Sequence, residues 1–520
     1  MNNDNKRTYK NFNLQKYYIE VKLHNPDGDE MILNPESMLQ LVIEDDLHFW
    51  PVRGFFIYEN PYEIIERKMV NNDSIENSKL DASSRVSLKN LKPYTFRNDG
   101  KDFLDITIRP ELDGDSDLPI KKLDPELWEL KYRCVIYDKE DIEVQDITKK
   151  VKKFYFWDSD YQKMLDRQIP WSSATSSLNP TQRELGSSYN PSQATDEQRK
   201  MFTGDIIKSI LLDSELKVDE NLFDRGSSKI FYTTFHDMDT YDNIDYVLNQ
   251  HISSKTIGSE LGDESDICIL NKERHNDSFS LMPLHKIFNK AGSDAALPLE
   301  YQLEHLFFDE TGDPSNSPYK APFLNTNDNN KDVKMTKIKK YRFVDMASAD
   351  NTHLILTTPV HTYDRKTKTF GVSIENSNVI ALEEKMKKMY IEKNLLTRNG
   401  SHLLLTLNND KKQNKHISPT STIRSNKAAV TKAGLGRLLH DSVFFNECLS
   451  FQVDGATIRQ AGRFVGIDRQ TSSDNTLDYK LCGQWFVTNV KHVFFHNMYS
   501  NEVLAVKMHS YDNMNIDQDV

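Results

Sequence analysis

The chain has 520 residues and a mass of 60.4 kDa, too much for one ordinary hydrophobic core, so about three domains are expected. Its formal charge of −12, with 28 % charged residues of both signs, argues against a nucleic-acid binder whose affinity comes from phosphate neutralisation. The acidity reads first as solubility and second as a surface that DNA can slide past without sticking.

A mean hydropathy of −0.65 and 38 % hydrophobic residues lie on the polar side for a globular protein. Met1-Asn2-Asn3-Asp4-Asn5-Lys6-Arg7 lacks the apolar core of a signal peptide, and no apolar run reaches the ~18 residues of a membrane span. A soluble chain without a cleavable export signal is therefore expected. Cys134, Cys268, Cys448 and Cys482 are scattered and form no Cys-x-x-Cys pair, which leaves no zinc knuckle or thioredoxin-type site. Cys134 and Cys268 sit in apolar runs and read as small buried hydrophobes in a reducing cytoplasm.

The first segment, to about residue 155, reads as β. Tyr17 to Leu23 leads into the turn Asn25-Pro26-Asp27-Gly28, and Met38 to Glu44 and Val52 to Tyr58 follow. Trp128, Leu130, Tyr132, Cys134 and Ile136 alternate with Glu129, Lys131 and Arg133, the period of a half-buried antiparallel strand. Leu104, Ile106 and Ile108 repeat it against Asp105, Thr107 and Arg109, whereas 70–92 reads as a polar loop. Ser172 to Gln198 is rich in Ser, Asn, Thr and Pro, a composition expected of an extended arm.

The texture changes at Met201. Ile206, Ile207, Ile210 and Leu211 define one helical face, with Thr203 as the expected cap and Asp205 near the positive end. A short strand at Lys229 to Thr234, a helix at Ile244 to Ile252, a buried strand at Asp266 to Leu270 and a short helix at Leu284 to Phe288 complete an α/β domain. A polar tract at 295–335 follows. Strands at Tyr341 to Met346 and Phe370 to Ile374 open a second β region, interrupted by a charged helix at Ala381 to Leu396 and a polar tract at Asn408 to Lys427. The region closes with Asp454-Gly455 through Gly462-Arg463-Phe464-Val465-Gly466-Ile467, then Gly483-Gln484-Trp485-Phe486-Val487-Thr488-Asn489-Val490-Lys491-His492, then Asn501 to His509. These apolar, β-favouring runs separated by Gly, Asp and Asn describe a small antiparallel barrel or sandwich.

The order Gly-Arg-Phe, Gly-x-Trp with a trailing His, and an Asn-led final strand resembles the closing barrel of baseplate hub proteins from contractile phage tails. That family is related to late control protein D and to the hub part of type VI secretion spike proteins. The helix at Thr203-Gly204-Asp205-Ile206-Ile207-Lys208-Ser209-Ile210-Leu211, the strand at Asp266 to Leu270 and the segment Phe279 to Leu284 are similar to the family's in the same order. The likeness spans 150–510; residues 1–150 share only strand texture.

The resemblance implies a β-rich mixed fold, with two antiparallel β-barrel-like domains flanking an α/β domain and long polar arms. The corresponding divisions are 1–155, a linker at 156–200, 201–295, an arm at 296–335, and 336–515 with an insertion at 381–430. It further implies a structural virion protein without enzymatic activity: a homotrimeric ring at the centre of the tail baseplate, assembled in the host cytoplasm. Such a ring adapts the sixfold tail tube to the threefold spike. The implied partners are other copies of the chain, the spike protein, the tail tube protein and other baseplate components. The genome would pass through the lumen without specific binding, and no membrane insertion is expected. The arms at 172–200 and 305–335 would wrap neighbouring subunits. The competing classes are a tail-associated cell-wall hydrolase and a wedge or receptor-binding baseplate protein.

No phosphate loop, dinucleotide fingerprint, His-Glu-x-x-His or Gly-x-Ser-x-Gly motif occurs, and Gly434-Leu435-Gly436-Arg437 does not follow a strand. His492 and His496 could share a face but show no third metal ligand, so a structural or turn role is expected. Asp237, Asp239 and Asp242 lack the glycine and closing Glu of a calcium loop. Asp45 with Asp46, and Glu304 with Asp309, read as solvated faces. No catalytic, cofactor-binding or metal-ligating residue, and no cofactor, is expected.

Overall fold

The computed structural model describes residues 9–59, 94–110, 129–142, 151–253, 268–283, 303–308, 337–344, 357–364, 369–376, 403–407, 447–468 and 483–507, apart from single positions and short stretches within these ranges. The expected helices at 284–288 and 381–396, the loop at 70–92 and most of the 296–335 tract lie outside them.

The first region holds β1 (Tyr9–Phe12), β2 (Gln15–His24), β3 (Glu30–Ile32), β4 (Met38–Asp46), β5 (Arg53–Glu59), β6 (Phe103–Pro110), β7 (Leu130–Ile142) and β8 (Val151–Asp158). Period two holds at the described positions of β6 and β7, and Trp128 lies outside the described residues. Leu130, Tyr132, Cys134 and Ile136 are buried while Lys131 and Arg133 are exposed, and Leu104, Ile106 and Ile108 face the same core. That core also takes in Val21, Leu41, Phe56 and Phe154.

The middle region holds α1 (Ser159–Asp166), α2 (Pro180–Leu185), β9 (Met201–Phe202), α3 (Thr203–Asp213), β10 (Val218–Phe223), β11 (Lys229–Ile230), α4 (Thr240–Leu248), β12 (Cys268–Glu273) and β13 (Ser278–Pro283). Ile206, Ile207, Ile210 and Leu211 are all fully buried on one face of α3. Thr203 does not cap that helix. The N-cap position is Phe202, which makes no side-chain cap bond, and the Thr203 hydroxyl is engaged elsewhere. Helix α4 begins four residues earlier than expected because Asp239 caps it, accepting from the Asp242 amide at 2.8 Å.

Residues 172–200 do not extend away from their own chain. Trp171 Nε1 donates to Ser209 Oγ (3.0 Å), Ser176 and Ser209 hydroxyls pair at 2.7 Å, and the fully buried Asn179 donates to the carbonyls of Ser173 (2.7 Å) and Gln198 (3.1 Å). Small hydroxyls and an amide replace an apolar core here, which is why composition alone suggested a free arm.

The last region holds β14 (Leu303–Phe308), β15 (Lys337–Val344), β16 (Thr357–Asp364), β17 (Thr369–Asn376), β18 (Leu403–Leu407), β19 (Glu447–Asp454), β20 (Phe464–Asp468), β21 (Gly483–Phe495) and β22 (Met498–Lys507). Strand β17 pairs with β16 in a separate sheet ordered β17-β16-β18.

The molecule is β-rich, and β1 to β8 of the first region share one 14-stranded sheet with β14, β15, β19, β20, β21 and β22 of the last. Its order runs β1-β2-β6-β7-β8-β5-β4-β21-β20-β14-β15-β19-β22, with β3 beside β2. All its pairings are antiparallel except β14 with β15 and with β20. At its far end the ladder turns back, since β22 pairs with both β19 and β21. The joint exists because β21 has 13 residues and overhangs β20. Gln484, Trp485 and Phe486 pair with β20, and Asn489 to Phe495 are left for β4.

Candidate functional site

The groups that bind the regions together converge on the β4–β21 joint. Here Asn489 stands opposite Asp46 and Phe495 opposite Gln40. Asn489 Nδ2 donates to Glu44 Oε1 and Asp46 Oδ2, each at 3.0 Å, and Arg53 Nε donates to Glu44 Oε2 at 3.0 Å. Burial alone would raise the Glu44 carboxyl. The hydrogen bonds from Arg53 and Asn489, with the Lys491 charge 3.5 Å away, outweigh it and hold Glu44 below its ordinary range. Asp45 accepts from the Ala461 amide at 3.1 Å.

Beneath the joint lies a buried polar knot. The Arg459 guanidinium, 4 % exposed, donates to the Asp454 carbonyl and to Asn501 Oδ1 (2.8 Å), which also accepts from the Ala456 amide at 2.7 Å. Asn501 Nδ2 lies 2.9 Å and the Tyr499 hydroxyl 2.8 Å from His492 Nδ1. An amide nitrogen can only donate, so Nδ1 accepts and the neutral ring carries its proton on Nε2. Tyr17 of β2 reaches into the knot, donating to the Gly455 carbonyl at 3.3 Å and meeting the Tyr499 ring edge-on at 5.1 Å. Burial pushes the Tyr17 phenol well up, opposed by Arg459 and reinforced by Asp454. Gly455 is required: a Cβ there would lie 2.2 Å from Tyr499 Cγ.

A second lock ties β12 to the end of β8. Lys272 Nζ, on a side chain 12 % exposed, sits 3.0 Å from Asp158, 2.8 Å from Asp160 and 2.9 Å from Asp277. Burial raises Asp158 above the usual carboxylate range despite Lys272. For Asp160 burial is outweighed by Lys272 and Lys163, and its carboxyl is held down. Burial opposes the Lys272 charge, yet the aspartates raise its ammonium above the ordinary lysine value. Phe486 seals the same boundary against Leu47, Ile269, Met282 and Val506. Rings of Trp50 and Phe279 (4.6 Å) and of Tyr161 and Tyr241 (5.0 Å) pack edge-on beside it. These hydrogen bonds, ion pairs and ring contacts fix the elements of the junction in one arrangement.

The residues weighed from sequence are dispersed. Asp45 and Asp46 belong to the joint, Asp239 is a helix cap, and Asp242 lies in the first turn of α4. Glu304 is on β14, while Asp237, Asp309 and Gly434 to Arg437 lie outside the described residues. His492 is in the knot, and exposed His496 occupies the hairpin turn with φ +50°, so the two do not converge. Arg459, Lys272 and a buried trio, Asp224, His251 and Cys268, were not singled out. Arg459 lies in the turn-rich run that follows β19, and Lys272 follows the apolar run Cys268 to Leu270. Neither cation is marked out by its neighbours, and the trio, drawn from three elements, has no local signal either. Among the described residues no helix is long and apolar enough to cross a membrane.

No family model and no curated protein matches the sequence. Solved structures with a similar arrangement include the tail protein from Neisseria meningitidis MC58, at 10 % identity and TM-score 0.45, covering 94 % of this chain and 96 % of that one. The 43 kDa tail protein of prophage MuSo2 from Shewanella oneidensis gives 10 % identity and TM-score 0.43, covering 94 % and 97 %. A Francisella PdpA–VgrG complex in its half-lidded form gives 12 % identity and TM-score 0.42, covering 96 % and 58 %. The solved structures to which this chain is similar thus include phage tail proteins and a PdpA–VgrG complex.

Proposed function

We propose that the chain is a structural virion protein, the central hub of a contractile-tail baseplate. The observation that carries this reading is the β4–β21 pairing, which fuses the first and last β regions edge to edge within one chain. Two β regions held rigidly side by side, in three copies, offer six similar docking positions to a sixfold tube while keeping threefold symmetry for a spike. Each region is read as one barrel-like half of that ring. The absence of catalytic residues expected from sequence belongs to the same reading, as does a place in the tail baseplate after assembly in the host cytoplasm. The junction described above supports it: a part that transmits load between two rings needs fixed geometry, and buried polar networks specify one arrangement.

Native mass spectrometry of the chain, alone and with its spike partner, is the direct test. A trimer in either sample is expected; monomer in both overturns the proposal. Turnover of bacterial cell wall by the purified chain would instead favour a hydrolase.

A further inference from the structure

We propose that Asp224, His251 and Cys268 form a three-ligand site for a divalent zinc-type cation, independent of the hub reading. The three come from the turn after β10, the chain just past α4, and the first residue of β12. One ligand atom from each lies within 4.8 Å of the others, and all three residues are buried. Zinc bonds of about 2.0–2.3 Å place ligand atoms closer together than this, so binding draws the trio inward by about an ångström.

The decisive observation is at His251. Its side chain is fully buried, and Nε2 makes no hydrogen bond although it lies 3.4 Å from Asp224 Oδ1. A buried ring nitrogen held 3.4 Å from a carboxylate without a hydrogen bond is poorly satisfied. The neighbouring contacts fit a metal ligand. Nδ1 lies 2.8 Å from the Thr203 hydroxyl; with its proton donated there, Nε2 turns a lone pair toward the trio. Asp224 Oδ1 accepts from the Gly226 amide at 2.7 Å, which orients the carboxylate as outer contacts orient metal ligands. The Thr203 hydroxyl, unused as a helix cap, thus gains a role.

One nitrogen, one sulfur and one carboxylate oxygen suit zinc better than calcium or magnesium, which prefer oxygen alone. The balance is simple. The cation binds the Cys268 sulfur, the thiol proton leaves to solvent, and the carboxylate and neutral imidazole bind unchanged. A dication with one thiolate and one carboxylate leaves the site neutral, which a buried position requires. The cation would tie α4 to β12 and to the turn leading from β10, joining elements that no strand ladder connects directly.

The test uses the full chain purified from zinc-supplemented medium. Elemental analysis should find close to one zinc per chain, falling at least tenfold in Cys268→Ala and in His251→Gln. Cobalt substitution should give the charge-transfer absorption of a cobalt–thiolate bond, absent in Cys268→Ala, and stripping with a strong chelator should lower the wild-type melting temperature. If either variant fails to fold, metal content and cobalt spectrum of the wild type decide alone. Folded wild type that takes up neither zinc nor cobalt, or Cys268→Ala that keeps stoichiometric zinc, overturns the proposal.

Discussion

Arg459 and Gly455 show how single residues set the junction. Arg459 holds the Asp454 carbonyl and Asn501 Oδ1 inside the protein, so Arg459→Met strands buried acceptors and should cost about 1–3 kcal/mol, read as a lower midpoint in urea denaturation. Gly455→Ala places a methyl against the Tyr499 ring, and overpacking should cost a similar ~1–3 kcal/mol. An unchanged midpoint for both variants would mean that the knot does not carry stability. Glu44 and Asp160 have carboxyls held below their ordinary values of 4.5 and 3.8, so their contribution is full above those values and is lost as pH falls through the lower folded-state values. Asp158 is raised and acts in the opposite sense, since its protonated form is favoured by the fold. Melting temperature should therefore fall on acidification below about pH 4.5, and less steeply in Glu44→Gln. Identical slopes for the two proteins would remove Glu44 from the account.

Strand β21 shows why strict alternation misassigns faces. Period two places Trp485, Val487 and Asn489 on one face and Phe486, Thr488 and Val490 on the other. Trp485, Val487 and Val490 in fact share a core with Phe451 and Val503, while Phe486 faces the boundary with the middle region. The register against β22 shifts between Val487 and Asn489, and such a bulge changes the phase of everything beyond it. Both faces are covered, as the apolar content required, and the second cover comes from the chain's own β12 and β13. The Gly462–Ile467 run does supply the neighbouring strand, Phe464 pairing with Phe486. Trp485 is fully buried, and Trp485→Ala should cost about 3–5 kcal/mol, lowering the melting temperature and weakening assembly together. A variant that melts like wild type yet fails to assemble would place Trp485 on a docking surface instead.

At the scale of the whole molecule, regions far apart in sequence are held by few contacts of high consequence. Lys272 neutralises Asp158 and shares Asp160 with Lys163 in a site that water hardly reaches, so Lys272→Met leaves the buried Asp158 carboxylate without its cation and should cost about 3–5 kcal/mol. The double change Lys272→Met with Asp158→Asn should recover part of that loss, which thermal unfolding of the pair can measure. No recovery would show that packing, not charge, makes the lock. The β4–β21 ladder pairs residues more than 440 positions apart, a closure that is slow to find and, once made, leaves the two β regions as one body.

Alternation along β6 and β7 and the apolar stripe of α3 were determined by the sequence alone, because a strand or helix must turn its apolar face to some core whatever that core is. The buried character of Cys134 and Cys268 was legible for the same reason. Tertiary structure alone decided which core each face meets. The overhang of β21 beyond β20 made the joint with β4, a bulge reassigned the faces beyond Val487, and the hydroxyls of Ser173, Ser176 and Ser209 folded an apparent arm back onto its own chain. The gathering of Asp224, His251 and Cys268 belongs to this second kind. Spacing in sequence carries no trace of it, since proximity there is created by packing three elements together and by no local rule.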